Sequence, residues 1–173
     1  IINVPNSNGK LTATTLATFM ENFLADGNNM HSVFPGLVYI TFPTELGTLY
    51  TAHELDQLYR MCRKYKLPLY VDGARLGYGL TAKGCDIDLP YLSNHCDMFY
   101  IGGTKIGALC GEAVVFTHHN AYEHFFSIQK QHGAVLAKGR LLGAQFDALF
   151  TDNLYFDIAR HGNLMAEDMR EVF

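Results

Sequence analysis

Residues 36–41 (Gly-Leu-Val-Tyr-Ile-Thr) and residues 69–71 (Leu-Tyr-Val) are short apolar runs on either side of one amphipathic stretch, and that succession permits few folds. Their β-branched and aromatic content suits strands buried in a sheet. The stretch between them opens with Thr51-Ala52-His53-Glu54, the pattern of a capping box. In such a box the threonine oxygen accepts from the backbone N–H at Glu54, and the glutamate reaches back to the cap. Tyr50 and Leu55 stand where a hydrophobic staple forms, and Leu55, Leu58, Tyr59 and Cys62 share one helical face. Lys66-Leu67-Pro68 ends the helix. Strand, helix and strand at this spacing make a βαβ unit, so the sheet is at least partly parallel. In such sheets ligands gather outside the carboxyl ends of the strands. Asp72 lies at one such end, and the loop holding Thr44, Glu45, Gly47 and Thr48 lies at another.

A third loop can reach the same edge. Met98-Phe99-Tyr100-Ile101 and Glu112-Ala113-Val114-Val115-Phe116 read as strands, with glycines at 102, 103, 107 and 111 between them and Lys105 at the centre. Glycine lets the backbone turn sharply and approach a ligand closely. A lysine held there beside a sheet is expected to lose water, which favours the neutral amine that bonds to carbonyl carbon. Alone, such a lysine is more often a solvated loop residue. Paired with a strand-end Asp72 it reads differently. A carboxylate can hold a pyridine nitrogen in its protonated form, and a lysine can carry an aldehyde. These are the two protein groups that pyridoxal 5'-phosphate requires. Thr104 can offer its hydroxyl to the cofactor phosphate. Arg75 can bind a substrate carboxylate or the cofactor's ring oxygen.

The rest of the chain frames that site. Residues 1–4 read as the end of a strand. Leu16, Phe19, Met20, Phe23 and Leu24 make one face of a helix, with Thr12 as its cap and Gly27 as its stop. Residues 76–80 read as a short irregular or helical stretch, residues 89–95 as a short helix, and residues 121–132 and 134–150 as helices broken near Gly133. Residues 152–173 read as a last helix with Ile158, Leu164, Met165 and Met169 on an apolar side that lacks cover. With 173 residues, 49% hydrophobic and 17% charged, the chain can bury one sizeable core. A net charge of −4 gives no electrostatic reason to expect nucleic acid or an acidic membrane as partner. No apolar run reaches the ~20 residues that span a bilayer. Cys62, Cys85, Cys96 and Cys110 form no Cys-x-x-Cys pair, so free thiols in a reducing, cytoplasmic compartment are expected. The adjacent His118-His119 lacks the spacing of a helical metal pair, and no metal site is expected.

Val71-Asp72-Gly73-Ala74-Arg75-Leu76 resembles the Asp-Gly-Ala-Arg motif of the threonine aldolase and aromatic-amino-acid β-eliminating lyase family. Gly102-Gly103-Thr104-Lys105, followed by Gly111-Glu112-Ala113, resembles the cofactor-lysine motif of a bacterial branch of that family, as does Thr44-Glu45-Leu46-Gly47-Thr48. The resemblance implies an α/β chain with the three-layer αβα, mostly parallel-sheet, aspartate-aminotransferase-like fold, here incomplete. It implies residues 1–150 as the C-terminal part of the large cofactor-binding domain and residues 151–173 as the first helix of a truncated small domain. It implies pyridoxal-phosphate-dependent cleavage of a β-hydroxy-α-amino acid, threonine or allo-threonine in type, to glycine and an aldehyde. The alternative is β-elimination on an aromatic amino acid, as in tyrosine phenol-lyase or tryptophanase. A third reading is a non-catalytic interaction module. Lys105, Asp72 and Glu45 are the implied catalytic residues; Lys105, Asp72, Arg75 and Thr104 the cofactor ligands; Arg75 and Glu45 the substrate contacts. A small amino acid is the implied partner, in a homo-oligomer, dimer or tetramer, with neither nucleic acid nor membrane. The better-known threonine aldolases carry Asn-Thr-His where this chain has Pro43-Thr44-Glu45. The resemblance implies a phosphate-binding Gly/Ser/Thr loop that residues 1–173 do not contain, so these residues alone are expected to bind cofactor weakly and to be inactive.

Overall fold

The computed structural model describes residues 1–172; Phe173, expected to close the last helix, lies outside the described residues. Strands β1 (Val38–Thr41) and β2 (Leu69–Asp72) pair in parallel, with Thr41 opposite Asp72. Strand β3 (Met98–Gly102) continues the parallel sheet beside β2, and β4 (Glu112–Phe116) returns antiparallel with Glu112 opposite Gly102. The strand order is therefore sequential, β1-β2-β3-β4.

The helices are α1 (Ala13–Ala25), α2 (Ala52–Lys64), α3 (Leu76–Leu80), α4 (Leu89–Asn94), α5 (Phe125–Gln131), α6 (Arg140–Phe150) and α7 (Leu154–Val172). Both predicted caps form. Thr12 Oγ1 accepts from Thr15 N at 3.1 Å. Thr51 Oγ1 accepts from Glu54 N at 3.1 Å while Glu54 Oε2 accepts from Thr51 N at 2.8 Å, the reciprocal box. Such a cap contributes about 1 kcal/mol and fixes where the crossover helix begins.

The sheet's two faces differ. Val38, Ile40, Leu69, Val71, Phe99 and Ile101 are buried, in one core with Leu16 and Met20 of α1 and Leu55, Leu58 and Cys62 of α2. Each such side chain contributes roughly 1.5–3 kcal/mol on burial. On the other face Tyr39 and Val114 are more than half exposed, and Tyr70 and Tyr100 are half-buried. At the far edge Phe116 meets Phe125 of α5 edge-on, centroids 5.0 Å apart. The chain thus has an αβα fold that is incomplete, with its second helical layer only begun among the described residues.

Three local expectations change. Residues 1–4 form no strand. Helix α5 starts at Phe125, because His124 before it takes φ 60°, and α6 starts only at Arg140, after a Gly133 at φ 68° and a turn. A 3₁₀ turn with Asp152 and Asn153 at positive φ separates α6 from α7. The buried residues of α7 are Tyr155 and Ala159, while Leu164, Met165 and Met169 are exposed. The reason is that α7 packs only its first half on α3. Asn163 Nδ2 donates to the Tyr78 carbonyl at 3.0 Å and to Thr81 Oγ1 at 3.1 Å, near the end of that contact.

Burial has a consequence at alkaline pH. The phenols of Tyr50 and Tyr155 and the thiols of Cys62 and Cys96 are each pushed up to about 12, chiefly by desolvation. In the unfolded chain a thiol titrates at about 8.5 and a phenol at about 10. The folded chain therefore holds more protons across that window, and stability falls as pH rises through it. The thermal midpoint is expected to be insensitive to these groups below about pH 8 and to fall steadily from about pH 9 to 11. A flat profile to pH 11 would show that they ionise freely in the folded state.

Candidate active site

Asp72 ends β2 on the open face of the sheet. Its Oδ1 accepts from Ala74 N at 2.9 Å, and its Oδ2 accepts from the Tyr39 hydroxyl. Tyr39 in turn stacks on Tyr70, centroids 5.4 Å apart and ring planes nearly parallel. Burial, reinforced by the hydrogen bond to Asp72, pushes the Tyr39 phenol well up, so it remains a donor. Burial and the charge of Asp72 also push Tyr100 up to about 12. The carboxylate is thus set among protonated phenols. Sequence reasoning did not single out these tyrosines. Period-two alternation could have found Tyr70, two residues before Asp72 and so on its face.

The glycine of the Asp-Gly-Ala-Arg motif has a steric cause. A Cβ on Gly73 would lie 2.0 Å from the Tyr100 carbonyl oxygen, and one on Gly102 would lie 2.3 Å from that of Ala74. Gly102 N donates to the Gly73 carbonyl at 2.9 Å. The turn after β2 and the end of β3 therefore touch backbone to backbone, and only glycine permits this at either position. That contact brings the Asp72 turn beside the lysine turn. On the other side Phe42 N donates to the Asp72 carbonyl at 2.8 Å, which ties in the start of the Glu45 loop.

Lys105 sits in a 3₁₀ turn, Thr104–Ile106. The Gly103 carbonyl accepts from both Ile106 N and Ala108 N at 3.0 Å, and the Lys105 carbonyl accepts from the Tyr78 hydroxyl at 2.6 Å. The lysine side chain is exposed, contrary to the expected loss of water. Ile106 takes the inward position of this turn, with 2% of its surface exposed, and leaves its neighbour facing out. None of the ion pairs among the described residues involves Lys105.

Two other expected residues pair with each other. Glu45 Oε1 accepts from Arg75 Nη1 at 2.9 Å, with both side chains open to solvent. Thr104, expected to donate to a phosphate, donates instead to Glu112 Oε1 at 3.1 Å. Glu45, Asp72, Arg75 and Lys105 thus follow the carboxyl ends of β1, β2 and β3 at one edge of the sheet.

Other chemistry is not assembled. Among the described residues no group of three or more His, Cys, Asp or Glu side chains is placed to hold a metal ion. No helix among them is long and apolar enough to cross a membrane. All four cysteines are free thiols. A groove of about 950 Å³ runs along β1 past Leu16, Met20 and Phe34, but it does not include Asp72, Arg75 or Lys105.

Known proteins resemble this chain in sequence and fold. The beta-eliminating lyase family model matches residues 1–171. A low specificity L-threonine aldolase of Pseudomonas aeruginosa is 30% identical over 165 residues, which are 95% of this chain and 46% of that protein. Another from a Pseudomonas species is 30% identical over 168 residues, 96% of this chain and 47% of that protein. A solved structure of Leishmania major threonine aldolase superposes with a TM-score of 0.90 at 37% identity, covering 98% of this chain and 48% of that one. The chain spans about half the length of the curated relatives it matches. A match over nearly every residue, on a chain whose Asp-Gly-Ala-Arg turn and lysine turn meet at one sheet edge, means that this chain belongs to the beta-eliminating lyase family.

Proposed function

We propose that the chain is part of a pyridoxal 5'-phosphate-dependent carbon–carbon lyase. It cleaves β-hydroxy-α-amino acids of the threonine or allo-threonine type to glycine and an aldehyde. The observation that carries this reading is the backbone contact between Gly73 and Gly102, which sets the Asp72 turn beside the Lys105 turn. The residues present fit the cofactor. Asp72 offers a carboxylate held by Ala74 N and Tyr39, with lone pairs remaining on each oxygen. Lys105 offers an exposed primary amine on a fixed backbone.

When bound, the cofactor supplies a ring that accepts electrons from the bond cleaved beside the substrate's Cα. Asp72 keeps a proton on the ring nitrogen by accepting its hydrogen bond. Lys105 Nζ would hold the cofactor through its aldehyde carbon, as the covalent anchor. Arg75 spends one donor on Glu45 and keeps others of its planar fork for the substrate carboxylate. Glu45, held beside Arg75, has Oε2 available to take the proton from the β-hydroxyl. We assign residues 1–150 to the large domain and α7 to the start of the small one, a boundary supported by the positive-φ turn at Asp152 and Asn153. Exposed Leu109, Phe126, Leu136 and Leu141 support a homo-oligomer, and the free thiols support a cytoplasmic setting.

The test is the product. With pyridoxal 5'-phosphate added, the full-length protein that contains these residues is expected to release equal amounts of glycine and acetaldehyde from threonine or allo-threonine. Pyruvate and ammonia from tyrosine or tryptophan, with no glycine from threonine, would overturn the assignment in favour of β-elimination.

A further inference from the structure

We propose that Glu112 is the positioning residue for Lys105, holding the turn that presents the lysine amine; this rests on the reading of Lys105 as the covalent anchor. Glu112 opens β4, directly across the ladder from Gly102. Its Oε2 accepts from Gly103 N at 2.5 Å and its Oε1 from Thr104 Oγ1 at 3.1 Å. One carboxylate thus grips two consecutive residues immediately before Lys105. Gly103 is buried, and its N–H has no other partner among the described residues. A buried N–H without an acceptor is unfavourable, so the turn depends on this oxygen.

The neighbouring contacts cannot replace it. The Gly103 carbonyl already serves Ile106 N and Ala108 N, and Tyr78 holds the Lys105 carbonyl. A Cβ on Gly103 would lie 2.6 Å from the Gly111 carbonyl oxygen, so the turn is packed against the backbone that leads into Glu112. Backbone and exit direction at Lys105 are therefore fixed while its side chain stays free. That suits an amine that must reach an aldehyde carbon from a constant base.

Two readouts test the role. One is amide hydrogen exchange over residues 103–105 in protein without cofactor. The other is the rate at which Lys105 is labelled by pyridoxal 5'-phosphate. There the amine nitrogen bonds the aldehyde carbon, one water leaves, and borohydride then supplies the hydride that makes the bond permanent. Glu112→Ala is expected to speed the exchange by ~10-fold and to slow the labelling by a similar factor, on the free energy of a lost hydrogen bond. Glu112→Gln is expected to restore both, because its oxygen can accept from Gly103 N while its amide donates to Thr104 Oγ1. Wild-type exchange and labelling in Glu112→Ala would overturn the proposal. If that variant does not fold, Glu112→Asp, too short to reach both partners, must show the same two changes, and wild-type values there would overturn it equally. A wild-type protein whose Lys105 takes no label would overturn the cofactor reading instead, and exchange would still decide whether Glu112 holds the turn.

Discussion

Lys105→Ala in the full-length protein is expected to abolish covalent attachment of pyridoxal 5'-phosphate after borohydride reduction and to eliminate turnover. Lys105 is the lysine in the glycine-flanked turn that comes after β3. Lys10, by contrast, is committed to Glu54 at 2.8 Å and to the Leu49 carbonyl. Lys64 lies on α2 beside Glu21. The substitution spares the fold, because the turn is held through the Lys105 carbonyl and through Gly103, not through the lysine side chain. An exposed side chain removed in this way changes stability by about 0.5 kcal/mol or less. Mass spectrometry of the reduced protein and its thermal midpoint would check both halves of this expectation. Cofactor found on a different lysine would refute the assignment.

Asp72→Asn carries the second large effect. The amide oxygen can keep the hydrogen bond from Ala74 N, and Tyr39 can turn its hydroxyl to accept from the new amide, so the local structure survives. What disappears is the negative charge that, in the proposed role, would hold the proton on the ring nitrogen. An opposite charge at contact moves a partner's pKa by ~1–3 units, so turnover is expected to fall by ~10- to 1000-fold. Covalent attachment at Lys105 should persist, which separates this variant from Lys105→Ala. Turnover within twofold of wild type would remove Asp72 from the role.

Much of this architecture was legible because it is local. The box at Thr51 and Glu54 is written in four consecutive residues, and the strands around α2 are short apolar runs closed by turn residues. From those the parallel sheet could be inferred, and with it the edge where Asp72, Glu45 and Lys105 stand. What escaped was contact between distant segments. Alternation places Tyr39 and Asp72 each on a face of its own strand, but only the register of β1 against β2 puts hydroxyl against carboxylate. Glu112 reads as the start of a strand, and nothing in its neighbours announces that it holds Gly103 and Thr104. The exposure of Lys105 was misjudged because a single 3₁₀ turn has no periodicity to say which residue faces in; Ile106 does. At 121–124 and 134–139, helix-compatible composition lost to the backbone at His124 and Gly133.

The contact between Gly73 and Gly102 separates spacing from chemistry. Where the aspartate turn meets the end of β3, the approach is set by main-chain atoms common to all residues. On the proposed reading, residues around the two turns can change, retuning which amino acid is accepted or which of its bonds is broken, without disturbing that approach. Under the roles proposed for Asp72 and Lys105, a lineage can wander widely in substrate while its ruler stays fixed, provided that these two positions never gain a β-carbon.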